Sequence, residues 1–524
     1  MRVTSFCVRA GLLAATFALP ALGATVSNYT TWARRMGGSS VVAGDATEIW
    51  RGIDNDRSGG VVVDGTFISA DGDIQVNGSG AVEPLVRMGS GTDQDIVVAR
   101  YDSNGNLMWR RTYGGAGTDV ALANCTDSAN NSYVVGTSTS PSLDFGTNPV
   151  TGRNFTLNGA GTFLLKLDPD GNTVWALQAA VRTAGVGQVN ATECAVDSND
   201  HVVISGGFGG VNGAGSEYRF GDISEPSRVS IPPLVGNQDG FVARYDPSGT
   251  LNLFQRTFAA ASASARFRGL NIAADNDILV GGGITGQTLI KNGETVLDTL
   301  DSNGGRDILV GRIDAATGQW SWAFAYGGAS DDEVRGMAAV GNDVAIGAYL
   351  ESKNVAVKGE GTPQTTVSTL GREGSADLHL ARFDPQGVLK WATTFGSTGN
   401  DGGTEIETRP DGNGIVFAGH FVGNVDFNGD GTADFLPQGG ADFAVGLVNA
   451  TTGTVTWVTS PAGGPTSDIS YGVTASTTPG VYYYSGYFTN QATFGATTLT
   501  SKGWEPGGTT RDDAVLGKVI NTAF

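Results

Sequence analysis

Histidine and cysteine are scarce in this chain, three of each in 524 residues. His201, His379 and His420 lie far apart with no ligand spacing, which argues against a zinc centre. Positive charge is also short: 32 Lys and Arg face 52 Asp and Glu, for a formal net charge of −20. No basic patch with interleaved aromatics occurs, so nucleic acid and anionic membranes are poor partners, while solubility and cation binding are favoured. Beyond the first two dozen residues no apolar run is long enough to cross a membrane as a helix. No serine elbow or acid–base pair can be picked out, and the glycine string Gly206–Gly215 leads into no helix that would make it a phosphate cradle. No catalytic residue is assigned.

Glycine, by contrast, is abundant at 80 residues, and it falls at the corners of a repeat. Asp95–Asp119 reads as strand, Asp-Ser-Asn-Gly turn, strand and glycine corner. Copies of its first part occupy Phe163–Trp175, Asp239–Phe254, Asp307–Trp322, Asp377–Trp391 and Asp442–Trp457, with a truncated copy at Asp513–Ile520. The spacing is roughly 65–80 residues, so repetition settles the architecture. A second hairpin precedes each copy, at Ile53–Gly65, Cys125–Gly136, Ala195–Gly206, Ala273–Gly282, Ala339–Gly347, Thr408–Gly419 and Ala475–Gly486. One repeat is thus four strands, A-B then C-D, and such units set around a ring are β-propeller blades. The expectation is all-β: a seven-bladed β-propeller of four-stranded antiparallel blades. Trp32–Gly38 copies Trp109–Gly115, so this N-terminal strand is expected to complete the last blade beside Asp513–Ile520.

The repeats resemble the bacterial bladed β-propeller repeat family, whose units carry D-x-F-V-A-K-x-D-x-x-G-x-x-x-W, G-G-x-G-x-D and V-D-x-x-G-N-x-Y-V-x-G. Asp239–Gly249, Gly114–Asp119 and Asp127–Gly136 match, and the likeness spans nearly all of residues 30–520. It implies export and a propeller fold and says little of activity. Departures are Leu253 and Phe254 in place of the repeat-three tryptophan, and shortened A-B turns in repeats four and five.

Residues 1–23 read as a secretory signal: Arg2 and Arg9, a short apolar run, then small residues before Ala24. Cys7 precedes that run and is not placed for lipid attachment. Residues 24–524 then form a single propeller domain, exported to a bacterial periplasm, the cell surface or the medium. Cys125 and Cys194 fall in the A strands of neighbouring blades, two and three residues before their turn aspartates. That offset points the thiols toward each other across the interface and allows a disulfide. Two buried free thiols are the alternative, because packed sheets lie about 10 Å apart and a bridge needs Cα atoms within about 7 Å.

The sharpest local motif is DFNGDGTAD, Asp426–Asp434. A hard cation takes six to eight oxygens from a tight loop, and alternating Asx side chains with a glycine supply them. Asp426, Asn428, Asp430, the Thr432 carbonyl and Asp434 are therefore expected calcium ligands, although the distal Glu of an EF-hand is missing. Acids recur where strand D turns into strand A, at Asp45, Asp119, Asp331, Asp332, Asp401 and Asp468, either fixing turns or forming an acidic rim to the channel. The tryptophans at one blade position, from Trp32 to Trp457, read as blade-to-blade packing, and Trp504 as an exposed contact.

The expected function is a calcium-stabilised, secreted binding or scaffold module. It would be a monomer with no membrane insertion, presenting loops to an unidentified protein or glycan. The alternative is an exported lyase or hydrolase acting on an extracellular polymer.

Overall fold

The computed structural model describes residues 30–39, 48–88, 93–147, 152, 154–184, 187–210, 214–221, 228–353, 355–357, 376–459 and 462–521. The expected signal and Asp45 lie outside them. The described chain is all-β and propeller-like. Among the described residues no helix is long and apolar enough to cross a membrane.

Each unit runs A-B-C-D in antiparallel order. In the first, Ile49–Asn55, Val61–Phe67, Asp95–Tyr101 and Leu107–Tyr113 pair in sequence. Asp332–Val340 through Leu389–Phe395, and Gly402–Thr408 through Val455–Val458, form two further four-stranded sheets. The B and C strands carry near-continuous apolar runs because both faces are covered: Val61–Phe67 is buried throughout. The cores are thin layers between neighbouring sheets. One such layer joins Tyr133 and Leu164 to Phe208 and Phe241.

Three other sheets hold six, six and ten strands, and two hairpins form two-stranded sheets of their own, which the repeat pattern does not anticipate. The B–C connections contain extra hairpins that reach back to the outermost strand of the preceding unit. Glu217–Phe220 pairs with Thr173–Ala184, and Gln287–Asn292 with Leu251–Ala259. A single parallel contact, Gln238 opposite Ser264, merges two units into one ten-stranded sheet. The physical gain is coverage: an outer strand with unpaired N–H and C=O groups is a template for aggregation, and a hairpin laid along it removes that edge.

Thr30–Gly37 pairs antiparallel with Asp512–Ile520, Ala33 lying opposite Gly517. Asp73–Gln75 continues the sheet on its far side. The first described strand therefore occupies the D position beside the last C strand.

The tryptophans and the D-x-x-G turns explain one another. Trp109 donates its indole N–H to the Pro169 carbonyl of the next unit at 2.9 Å, Trp175 to Pro247 at 3.0 Å, Trp322 to Pro385 at 3.0 Å and Trp391 to Ala450 at 2.8 Å. Trp32 makes the same bond to Ser103 at 3.2 Å, which ties the closing strand to the first unit. Gly171 sits under the Trp109 ring with φ +76°, and a Cβ there would lie 2.6 Å from the indole. Only glycine meets both demands. In repeat three, where the tryptophan is missing, Gln255 Nε2 donates to the Gly318 carbonyl at 3.0 Å instead.

Candidate functional site

Every A strand is interrupted at the same place. The register shifts between Trp50 and Gly52, Ala121 and Ala123, Ala191 and Glu193, and Phe267 and Gly269. It shifts likewise between Val334 and Gly336, Gly403 and Glu405, and Ser470 and Gly472. Each shift is a β-bulge, which leaves one residue unpaired and re-aims its side chain. The extra residues are Arg51, Leu122, Thr192, Arg268, Arg335, Thr404 and Tyr471. Arg51, Leu122, Thr192, Arg268, Arg335 and Tyr471 line one central cavity of about 420 Å³, to which all seven of these A strands contribute. Four of the bulges are followed by glycine, and the Gly336 Cα leaves no room for a Cβ against Glu405, 2.9 Å away. Close approach of neighbouring A strands thus favours glycine at that level in four units, while Ala123, Glu193 and Glu405 hold the same position in the other three.

The cavity wall mixes guanidiniums with carboxyls. Arg51, Arg57, Arg268 and Arg335 line it together with Asp54, Glu193, Glu405 and Glu407. Arg51 lies over the Tyr471 ring at 5.6 Å. Confinement away from bulk water raises the carboxyls. Glu407 is pushed up to about 8 by burial, with the Asp54 charge adding to the effect. Burial lifts Asp54 to about 6 against hydrogen bonds from Asn55 and Thr126. Burial also holds Glu193 well above the usual range despite Arg268, and Glu405 well above it with Glu193 and Glu407 adding repulsion. Behind the wall Asp64 is raised to about 7 by burial and accepts a 2.7 Å hydrogen bond from Asn124 Nδ2. The four guanidiniums donate hydrogen bonds, and so does a carboxyl that keeps its proton near neutral pH, as Glu407 does, so the cavity is rich in donors.

Sequence reasoning missed these residues. The signal was a short one, the dipeptides Arg51-Gly52, Arg268-Gly269, Arg335-Gly336 and Tyr471-Gly472 at equivalent points of strand A.

Asp426–Asp434 forms one compact loop. Asp426 Oδ1 accepts the Gly429 N–H at 2.7 Å and Oδ2 that of Gly431 at 2.7 Å. Asn428 Oδ1 accepts from the Asp430 N–H at 2.8 Å, Asp430 Oδ1 from Thr432 at 2.8 Å and Asp434 Oδ2 from Phe427 at 2.9 Å. Burial raises the Asp434 carboxyl, and the charges of Asp426 and Asp430 add to that, so the three carboxylates repel one another. The oxygens suit a hard cation in kind, but here they are engaged by backbone N–H groups. Among the described residues no group of three or more His, Cys, Asp or Glu is gathered as a metal site. Phe427 packs on Phe395 at 5.4 Å between centroids, which seats the loop on the outer strand of the preceding unit.

Cys125 and Cys194 are joined by a disulfide, with Cα atoms 5.8 Å apart, and both line the cavity. The corner acids Asp119, Asp332, Asp401 and Asp468 are buried. They accept from the Ser138 and Ser140 hydroxyls or from N–H groups such as those of Ser352, Val422 and Thr489. None of them lines the cavity, so they set turns and form no acidic rim to it. His379 is buried and shares a 3.0 Å hydrogen bond with the Tyr326 hydroxyl; burial lowers it to about 4. Trp504 is half-buried.

No family model matches the chain. Over 194 residues it is 28% identical to an uncharacterized WD repeat-containing protein of Acanthamoeba polyphaga mimivirus. That match covers 36% of this chain and 13% of the viral protein, so the chain accounts for a small part of its relative. The chain is a repeat-built, propeller-like protein. Among solved structures it is similar to Kuenenia stuttgartiensis hydrazine synthase, with 9% identity, TM-score 0.39 and coverage of 88% of this chain and 99% of that one. It is also similar to a polysaccharide lyase, with 10% identity, TM-score 0.41 and coverage of 95% and 99%. Neither likeness carries an argument about activity.

Proposed function

We propose that the chain is an exported, monomeric, seven-bladed propeller, closed by Thr30–Gly37, that acts as a binding module for an oxygen-rich protein or glycan ligand. The observation that carries this reading is the donor-rich cavity of about 420 Å³, within the range of small-ligand sites, roughly 300–1,000 Å³. The contribution of A strands from every repeat to that one cavity, and the antiparallel pairing of Thr30–Gly37 with Asp512–Ile520, support the closed ring. A glycan and protein array probed with residues 24–524, with and without calcium, tests the function. Retention of a ligand is expected to fall in Arg51→Gln and Glu405→Gln. Retention unchanged in both variants removes the cavity from the reading.

Calcium bound by Asp426, Asn428, Asp430, Asp434 and the Thr432 carbonyl would relieve the carboxylate repulsion and order the loop. At about 100-fold excess over Kd the stabilisation is roughly 2.7 kcal/mol if only the folded state binds. Because the loop is a surface connection that can open alone, the global melt is expected to register less. Calorimetric titration should show binding by the wild type and none by the double variant Asp426→Ala, Asp430→Ala. Equal heats from the two proteins would leave a metal-free polar turn.

A second reading rests on the cavity carboxyls. Glu407 near 8 beside Asp54 near 6 is the separation an acid–base pair needs, as in enzymes that cleave polymers. Release of new chain ends from an acidic or neutral polysaccharide, abolished by Glu407→Gln, would favour the exported lyase or hydrolase over the binding module.

A further inference from the structure

Where the A strands begin, one carboxylate faces four guanidiniums. Glu333 is bound by Arg266 Nε at 2.5 Å, Arg335 Nη2 at 3.3 Å, Arg268 Nε at 3.5 Å and Arg306 Nε at 3.6 Å. The side chain of Glu333 is 4% exposed, whereas the arginines keep between 22% and 35% of their surface. The carboxylate is therefore sealed behind them, and the accessible face is the cationic one. Two of the four, Arg268 and Arg335, also line the central cavity. The nearest other acids do little to balance the excess. Asp331 is exposed, acts on Arg306 and accepts the Arg306 backbone N–H at 2.8 Å. Glu193, beside Arg268, is held well above the usual carboxyl range by burial, against the pull of the Arg268 charge, which weakens it as a counter-ion.

In a chain of net charge −20, this concentration of guanidinium is not accounted for by packing alone. Arg266 stands at the corner position that other repeats give to aspartate, so the repeat itself does not demand it. Burial pushes the Arg268 guanidinium down to about 10; Glu333 works against this, and Arg266, Arg335 and Arg306 push it further. Its Nε has no hydrogen-bond partner, the contact to Glu333 being an ion pair without hydrogen-bond geometry. The cluster therefore has unmet demand for a second anion, and forked guanidinium N–H groups match the oxygens of a tetrahedral or planar oxyanion.

We propose that Arg266, Arg268, Arg306 and Arg335 form an oxyanion-binding subsite at this end of the cavity, taking the sulfate or phosphate group of a ligand that enters it. The inference deepens the binding-module reading and rests on it for the role of the cavity. The group arrives either as a free ion or as an ester on a larger ligand.

The test is calorimetry at low ionic strength with inorganic sulfate, inorganic phosphate, a sulfated oligosaccharide and its unsulfated counterpart. Wild-type protein is expected to bind at least one of the three anionic probes, and binding should weaken by about tenfold or more in Arg268→Gln and in Arg335→Gln. Glu333→Gln removes the carboxylate that competes with the ligand, so it should bind the anion more tightly, the reverse of what loss of a structural ion pair would do. Thermal melts of all three variants separate lost binding from lost folding, and Glu333→Gln keeps the test usable where an arginine variant fails to fold. Binding of the free ions assigns a small-anion subsite, and binding of the sulfated oligosaccharide alone assigns an ester on a polymer. Affinity that is unchanged in the arginine variants, or unchanged or weaker in Glu333→Gln, overturns the proposal. Equal binding of the sulfated and unsulfated oligosaccharides also overturns it while leaving the cavity reading intact. Failure of every probe overturns the oxyanion site, and the array then decides the binding-module reading separately.

Discussion

Deleting residues 24–38 is expected to prevent stable folding, not merely to fray one edge. Thr30–Gly37 is buried along nearly its whole length, with Trp32, Ala33 and Met36 in the core. Truncating one buried tryptophan costs about 3–5 kcal/mol, and total stability is typically about 5–15 kcal/mol. The strand also carries Arg35, which bridges Asp513 at 2.9 Å and Asp73 at 2.6 Å. Arg34 Nε donates to the Gly105 carbonyl at 2.8 Å, so the same strand holds the first unit against the last. Without it Asp513 is left buried with no cation and Asp512–Ile520 becomes an open edge. Circular dichroism melts should show loss of the cooperative transition in the deletion, and Trp32→Ala should lower the midpoint alone. Addition of a peptide spanning residues 24–38 should restore part of the transition. A melt unchanged by the deletion contradicts the closure.

Raising the pH from about 5 to about 8.5 is expected to destabilise the protein. Burial lifts Glu407 and Asp468 to about 8, Asp64 to about 7, and Asp54 and Asp239 to about 6. A carboxyl raised on folding keeps a proton that the unfolded chain releases near pH 4. Its stabilising contribution is therefore complete below that value and is lost as pH rises through the folded value. Each such proton corresponds to about 1.4 kcal/mol per pH unit within its window. Access of the cavity groups to water reduces this, so a net slope of roughly one proton is expected. Carboxyls lowered on folding, such as Glu333 and Asp102, act oppositely but below pH 4, which places the optimum near pH 5. Urea titrations across the range measure the slope, and Glu407→Gln should flatten it and stabilise the protein at pH 8.5. A stability that rises steadily from pH 5 to 8.5 would contradict the assignment of protonated carboxyls.

The repeat and its internal geometry were legible in the sequence because they rest on local chemistry. Alternating apolar residues, a turn aspartate and a turn glycine report on neighbours a few positions away. The tryptophan at the end of the motif reads as packing because it recurs in phase with that glycine. The structure gives the reason, since Trp109 and Trp391 each lie over a turn glycine of the next unit, Gly171 and Gly453. The one-residue offset between aligned strands allowed a Cys125–Cys194 bridge without choosing it over two free thiols, and the tertiary structure joins them.

The extra hairpins, the bulges and the charged cavity were decided only by tertiary structure. A hairpin of one connection lies along the outer strand of the previous unit because that edge needs cover, and nothing within the hairpin names its partner. A bulge leaves the strand's composition unchanged while re-aiming one side chain, so nothing local to Arg51, Arg268 or Arg335, beyond the glycine after it, marks it as a cavity residue. Arg266 and Glu333 stand 67 residues apart and meet at 2.5 Å because the two A strands that carry them pack side by side. By itself the sequence determined what each unit is, since strand and turn chemistry act over a few residues. Which charges converge at the centre depended on distance in space, which only the packing of units around the cavity sets.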